Sequence, residues 1–112
     1  MKKSIFILLS LLMVFTACAK ASIYNDGQYE GTGQGKYGPI VVKVEVKSDK
    51  ITKVLIVSHS ETPGISDPAI QGIPLAIIEK QNTKEVDVFS GATVTSQAIL
   101  DAVDEALKEA MK

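Results

Sequence analysis

Gly31, Gly33 and Gly35 recur at every second position within the stretch Gln28–Lys36. On a β-strand that spacing places all three on one face. A face without side chains admits another backbone, a helix or a flat ring at close range. The rest of a domain this size has to be arranged around such a strand. The run Gly33-Gln34-Gly35-Lys36-Tyr37-Gly38 also matches G-x-G-x-x-G. That pattern signals a dinucleotide site only after a buried apolar strand and at the opening of a helix. Here Pro39 and a β-branched run follow, so the match is accidental.

The elements that follow are legible in their periodicity. Asn25-Asp26-Gly27 reads as a turn. Ile40–Lys47 alternates, with Val42, Val44 and Val46 inward and Lys43, Glu45 and Lys47 outward. Ser48-Asp49-Lys50 turns the chain, and Ile51–Ser60 completes an antiparallel hairpin. Asp49 and Glu45 read as a solvated hairpin face. The unbroken run Val54-Leu55-Ile56-Val57 predicts that both faces of that strand are covered. Asp67 is placed to cap a helix with Pro68 at its first position. Gly72 interrupts, and Pro74 starts a second helical piece to Gln81, with Ile70, Ile73, Ile77 and Ile78 on the core side. Glu85–Val88 reads as a short strand. Thr95–Met111 reads as the best helix, with Ala98, Ala102, Ala106 and Ala110 in one i+4 row beside Ile99, Val103, Leu107 and Met111. The fold class expected is α+β: a small twisted, mainly antiparallel sheet packed against a C-terminal helix and a shorter helical segment.

With 112 residues the chain holds one small domain. Its first residues are an export signal. Lys2 and Lys3 precede an apolar run, Ile5–Phe15, and then small residues. Phe15-Thr16-Ala17-Cys18 resembles a bacterial lipobox, in which Cys18 becomes the lipid-bearing first residue. Ala19-Lys20-Ala21 offers an alternative, ordinary cleavage pattern. The division expected is a signal peptide at 1–17, a lipidated N-terminus and short tether at 18–26, and the domain proper at 27–112. Removing 1–17 takes two lysines and no acid, so the 12 Lys+Arg against 13 Asp+Glu of the whole chain becomes ten against thirteen. That balance gives no electrostatic footprint for nucleic acid. No arginine occurs, so a phosphate or carboxylate ligand would have to be held without a guanidinium fork.

The chemistry concentrates in Asp87-Val88-Phe89-Ser90-Gly91-Ala92-Thr93. Gly91 can take positive φ and lets a ligand approach the backbone. The residues after it open a helix, whose first amides lack intrahelical partners and favour an anion. Thr93 presents a hydroxyl at the same place. Taken alone, Ser, Gly and Thr here are also ordinary turn and cap residues.

Asp87-x-x-Ser90-Gly91-Ala92-Thr93 resembles the flavinylation signature of FMN-binding domains, the family that includes the flavin subunits of sodium-pumping NADH:quinone reductase and of the Rnf complex. The resemblance extends through Asp26-Gly27-x-Tyr29-x-Gly31-x-Gly33, the valine hairpin and His59-Ser60-Glu61-Thr62-Pro63-Gly64. It implies FMN joined by a phosphoester to Thr93. A Mg²⁺-dependent flavin transferase makes the bond in that family, taking FMN from FAD and releasing AMP. It further implies that Asp87, Ser90, Gly91 and Ala92 form the transferase recognition sequence, and that Glu61, Thr62 and Gly64 lie near the flavin ring. The implied role is an extracytoplasmic electron carrier between a membrane donor and an extracytoplasmic reductase or other acceptor. The competing readings are a binding or scaffold lipoprotein without flavin, and an accessory module of a separate reductase.

Thr93 is then an attachment point, and no catalytic constellation is recognisable beside it. Thr95 and Ser96 read as N-cap residues. His59, the single histidine, reads as exposed or locally satisfied at a strand end, with proton transfer to reduced flavin as the alternative. One histidine and one cysteine give no basis for a zinc or haem site. Mass spectrometry of membrane extracts tests the anchor: an acylated Cys18 at the N-terminus is expected, and an N-terminus at Ser22 would exclude it.

Overall fold

The computed structural model describes residues 22–112. The leader and Cys18 lie outside the described residues. Three strands, β1 (Gly27–Gln34), β2 (Pro39–Lys47) and β3 (Lys50–Ser58), form one antiparallel sheet in the order β1-β2-β3. Two helices follow, α1 (Asp67–Lys80) and α2 (Thr93–Ala110). The architecture is the small α+β class expected.

The valine alternation is realised as read. Val42, Val44 and Val46 are buried, and their neighbours face outward. The hairpin turns through Ser48 and Asp49 with φ of 52° and 62°. Two consecutive left-handed residues match the twist of a two-residue hairpin. α2 lies across β1 and β2, and α1 lies against β3 and α2.

The glycine face is covered by α2 at backbone range. A Cβ on Gly31 would stand 1.8 Å from the carbonyl oxygen of Ala102, and one on Gly33 would stand 1.8 Å from that of Ala98. The alanine row, Ala98, Ala102, Ala106 and Ala110, is fully or almost fully buried in this seam. Small residues on both partners let helix and strand meet without intervening side chains. The apolar volume of the core comes instead from the β2 valines, Ile40, Ile51, Ile73, Ile77, Ile99 and Val103.

Four readings are corrected. First, β3 has one open face: Leu55 is 53% exposed and Val57 54%, while Val54 is buried. Both helices lie on the valine side of the sheet, so nothing covers the other side among the described residues. Second, α1 is continuous through Gly72 and Pro74. Pro74 is buried with Ile73 and Ile77, and that packing outweighs one lost backbone hydrogen bond. Gly72 leaves room for the Phe89 ring, which a Cβ there would meet at 2.4 Å. The cap position falls on Ser66, and Asp67 is the first helical residue. Third, Glu85–Val88 is irregular. Asn82 accepts the Glu85 N–H at 2.9 Å and the Val86 N–H bonds to Thr83 at 3.3 Å, so local turns use the groups a strand needs. Fourth, Asp49 is more than a solvated hairpin residue. Its carboxylate accepts the Ile23 and Tyr24 amides, each at 2.8 Å. Those bonds, Tyr24's first, hold its carboxyl below the usual aspartate range.

The same contacts dock the stretch 22–25, which sequence alone places in a tether. Asn25 N–H donates to the Ala110 carbonyl at 2.8 Å, Lys112 N–H donates to the Ile23 carbonyl at 3.0 Å, and Tyr24 bridges to Met111. The chain therefore enters the domain at the C-terminal end of α2.

Gly33→Ala forces α2 off β1 and is expected to cost about 3 kcal/mol. Thr32→Ala, on the outward face of the same strand, is expected to stay within about 0.5 kcal/mol of wild type. Urea unfolding of the two variants measures the difference.

Candidate functional site

α2 begins in a turn built by its own fourth residue. The Ala92 N–H bonds to the Phe89 carbonyl at 3.0 Å, closing a turn in which Gly91 has φ of +85°. Positive φ at that third position is what a type II turn requires, and glycine meets it without strain. Buried Ser96 locks the turn to the helix. Its hydroxyl donates to the Ala92 carbonyl at 2.7 Å and accepts the Phe89 N–H at 3.0 Å. Ser96 and Thr95 are thus interior residues of the first helical turn rather than caps. The cap position falls on Ala92, and no side chain caps the helix. Alanine is among the poorest residues there, so the helix opens with its amide donors and positive dipole end available.

This opening forms one wall of a cleft of about 320 Å³. Gly91, Ala92, Thr93, Val94 and Thr95 line it from the helix side. Lys36 and Tyr37 line it from the β1–β2 turn, and Thr62, Ile65 and Ser66 from the loop before α1. Thr93 is exposed, and a Cβ on Gly91 would meet nothing within 4 Å beyond its immediate chain neighbours. Tyr37, Ile65 and Val94 leave large apolar surfaces at the rim. Lys36 Nζ lies 5.5 Å from the Tyr37 ring centroid, in cation–π range.

Glu61 holds the three walls together. It is 4% exposed. Oε1 accepts the Thr95 hydroxyl at 2.6 Å and the Lys36 amide at 3.1 Å, and Oε2 accepts the Tyr37 amide at 3.0 Å. Burial pushes its carboxyl up, but the Thr95 hydroxyl, the two amides and the His59 ring outweigh it and hold the group below the usual glutamate value. Gly35 makes room for it, since a Cβ there would lie 3.0 Å from the carboxylate. The Glu61 N–H donates to His59 Nδ1 at 3.1 Å. The histidine thus has a local partner, and that ring nitrogen serves as an acceptor.

Of the residues singled out from sequence, Thr62, Gly91, Ala92 and Thr93 meet at one cleft. Ser90 and Asp87 are exposed and do not line it, and Glu61 stands behind its wall. Gly64 turns the loop at φ +82°, and its N–H donates to the Asp67 carboxylate at 3.0 Å, also outside the cleft. Sequence reasoning misses Lys36, Tyr37, Ile65, Ser66, Val94 and Thr95 as cleft residues. The Gly35–Gly38 turn is the available signal for the first two: its glycines serve a tight turn, closed by a 2.8 Å bond from Gly35 N–H to the Gly38 carbonyl.

An uncapped helix start, an open glycine and an accessible hydroxyl fit a phosphate group. Sheet, glycine-seated helix and phosphate-ready turn together define a small cofactor-holding module. The profile of the FMN-binding domain matches residues 35–108, and the chain belongs to that family. It is 43% identical over 84 residues to the NADH:acrylate oxidoreductase of Vibrio harveyi, a match covering 75% of this chain and 8% of that protein. It is 38% identical over 84 residues to a component of the ion-translocating oxidoreductase complex of Methanosarcina acetivorans, covering 65% of this chain and 45% of that one. A urocanate reductase of Eggerthella lenta is 34% identical over 79 residues, 70% of this chain and 13% of that protein. The chain thus spans less than half the length of these relatives.

The Glu61 carboxyl titrates in the folded protein below its ordinary value of 4.5. A depressed folded pKa contributes stability that is complete above the unfolded value and is lost as pH falls through the folded one. Wild type is expected to lose stability as pH drops below about 4.5, and Glu61→Gln to show a shallower acid limb from a lower neutral plateau. Urea midpoints across that range measure it, and identical acid limbs would remove Glu61 from the account.

Proposed function

We propose that this chain is an extracytoplasmic, membrane-anchored electron carrier whose FMN is held through a phosphoester to Thr93 Oγ. The observation that carries the proposal is the position of Thr93: an exposed hydroxyl on the first turn of an uncapped helix, opening on a cleft beside Gly91. A phosphodiester there would meet the amide donors and positive end of α2, which offers compensation in a chain without arginine. Bound FMN supplies the electron-accepting and electron-donating chemistry, which no side chain here offers.

Attachment balances as a transfer from FAD on a Mg²⁺-dependent flavin transferase. Thr93 Oγ attacks the flavin-side phosphorus, the pyrophosphate bond breaks, AMP leaves with the bridging oxygen, and the hydroxyl proton is released. Asp87, exposed before the turn, and Ser90, exposed within it, are open to recognition by that enzyme. The rim formed by Tyr37, Ile65 and Val94 would shield a ring in the cleft from water on one side and leave it reachable on the other. Electrons would enter from a membrane donor and leave to an extracytoplasmic acceptor. The export signal and Cys18 support that compartment, where a dissociating cofactor would be lost.

A second reading keeps the flavin and changes the context. The match covers only 8% of the acrylate oxidoreductase and 13% of the urocanate reductase. This favours an accessory module serving a separate reductase, with the same site.

Co-expression with a flavin transferase, denaturing electrophoresis and in-gel fluorescence test the site. A fluorescent wild-type band and a dark Thr93→Ala band are expected. An unmodified wild-type mass would overturn the covalent assignment, and fluorescent Thr93→Ala would move the attachment elsewhere.

A further inference from the structure

Thr95 lines the cleft, yet it is only 3% exposed, and its hydroxyl has one proton. That proton is committed to Glu61 Oε1 at 2.6 Å. Glu61 cannot release it to another acceptor without loss, because every other partner of its carboxylate is a fixed backbone donor: the amides of Lys36 and Tyr37. All three bonds are donated to the carboxylate and favour its ionised form, which accepts and never donates. Thr95 is therefore left with lone pairs only. The Ser66 hydroxyl oxygen lies 3.4 Å from that of Thr95 on the same wall, and with the Thr95 proton held by Glu61 at the shorter distance any hydrogen bond between the two hydroxyls is donated by Ser66.

We infer that Glu61 is a positioning residue that fixes Thr95 as a hydrogen-bond acceptor in the cleft wall and sets a buried negative charge one hydroxyl behind it. The consequence has two parts, and it rests on the flavin reading of the cleft. The wall at Thr95 selects a ligand edge that presents an N–H. The fixed charge also opposes electron density added to a ring bound there, so it holds the midpoint potential low. Neither effect needs Glu61 to touch the ligand, and the geometry keeps it from doing so: the Thr95 side chain stands between them. Glu61 would then act near the ring, as the resemblance implies, without touching it.

Three substitutions separate this role from a purely structural one. Glu61→Gln removes the charge at constant shape. Thr95→Val removes the acceptor and keeps the carboxylate. Thr95→Ser keeps the hydroxyl. Each variant is flavinylated by co-expression, and its midpoint potential is measured by spectroelectrochemical titration. Glu61→Gln is expected to shift the potential to more positive values, Thr95→Val to move it away from the wild-type value through loss of the acceptor, and Thr95→Ser to keep the wild-type value. An unchanged potential in flavin-loaded Glu61→Gln overturns the inference. If that variant does not fold, identical potentials in Thr95→Val and Thr95→Ser overturn it. A flavin-free measurement keeps the test apart from the flavin reading. In unloaded wild type the Thr95 hydroxyl proton should exchange slowly enough to be seen by NMR, and it should be lost or displaced in Glu61→Gln. A rapidly exchanging hydroxyl in unloaded protein overturns the polarity assignment even if the protein takes up flavin on co-expression. A wild type that never takes up flavin, with the hydroxyl proton visible, removes the flavin reading and leaves the Thr95 polarity standing.

Discussion

The seam between β1 and α2 is the constraint on which the rest of the molecule depends. Gly31 and Gly33 admit the carbonyls of Ala102 and Ala98 into space a single methyl would fill. Such a contact contributes little apolar area, so its value is geometric. It fixes the height and direction of an 18-residue helix on a three-stranded sheet. The first turn of that helix must reach the loop before α1 and the turn after β1 at once. A lift of one or two ångströms would break the 2.6 Å bond between Thr95 and Glu61 and separate the cleft walls. Precision at the site is thus borrowed from a seam that contains no functional residue.

What the sequence displays and what it hides differ in kind. Alternation in β2 is visible because each valine reports its own burial. Thr93 is visible because a strand-to-helix turn rich in Ser, Gly and Thr has local chemistry. The misreadings all require knowing a partner. Leu55 and Val57 look buried until both helices are seen to choose the same side of the sheet. Pro74 looks like a helix start until it is found buried beside Ile73 and Ile77. Thr95 and Ser96 look like caps because hydroxyls suit caps, but Glu61 and the Phe89 amide draw them inward. Glu61 is the clearest case. A glutamate in a Glu-Thr-Pro-Gly turn gives no sign that two amides 24 and 25 residues earlier in the chain will close on it.

The cleft also shows how an anion can be accommodated beside a buried carboxylate. The two requirements meet on successive residues of one helix. The opening of α2 carries no side-chain cap on its amide donors, while the Thr95 hydroxyl turns inward to satisfy Glu61. Helix polarity serves both, since the same positive end that favours a phosphate also favours the glutamate. Lys36 and Tyr37 repeat the division of labour: their amides face the carboxylate and both residues border the cleft.

The docking of Ile23 and Tyr24 beside Met111 and Lys112 brings the two ends of the domain together as neighbouring extended segments. They meet at the far end of α2, about 25 Å along the helix from Thr93. A domain with adjacent ends can be spliced into another chain, or appended to one, with little disturbance of its interior. Because the junction is at the pole opposite the cleft, neither arrangement crowds the ligand. Portability is therefore built into this fold, and it accords with finding the same module as a small fraction of much longer proteins.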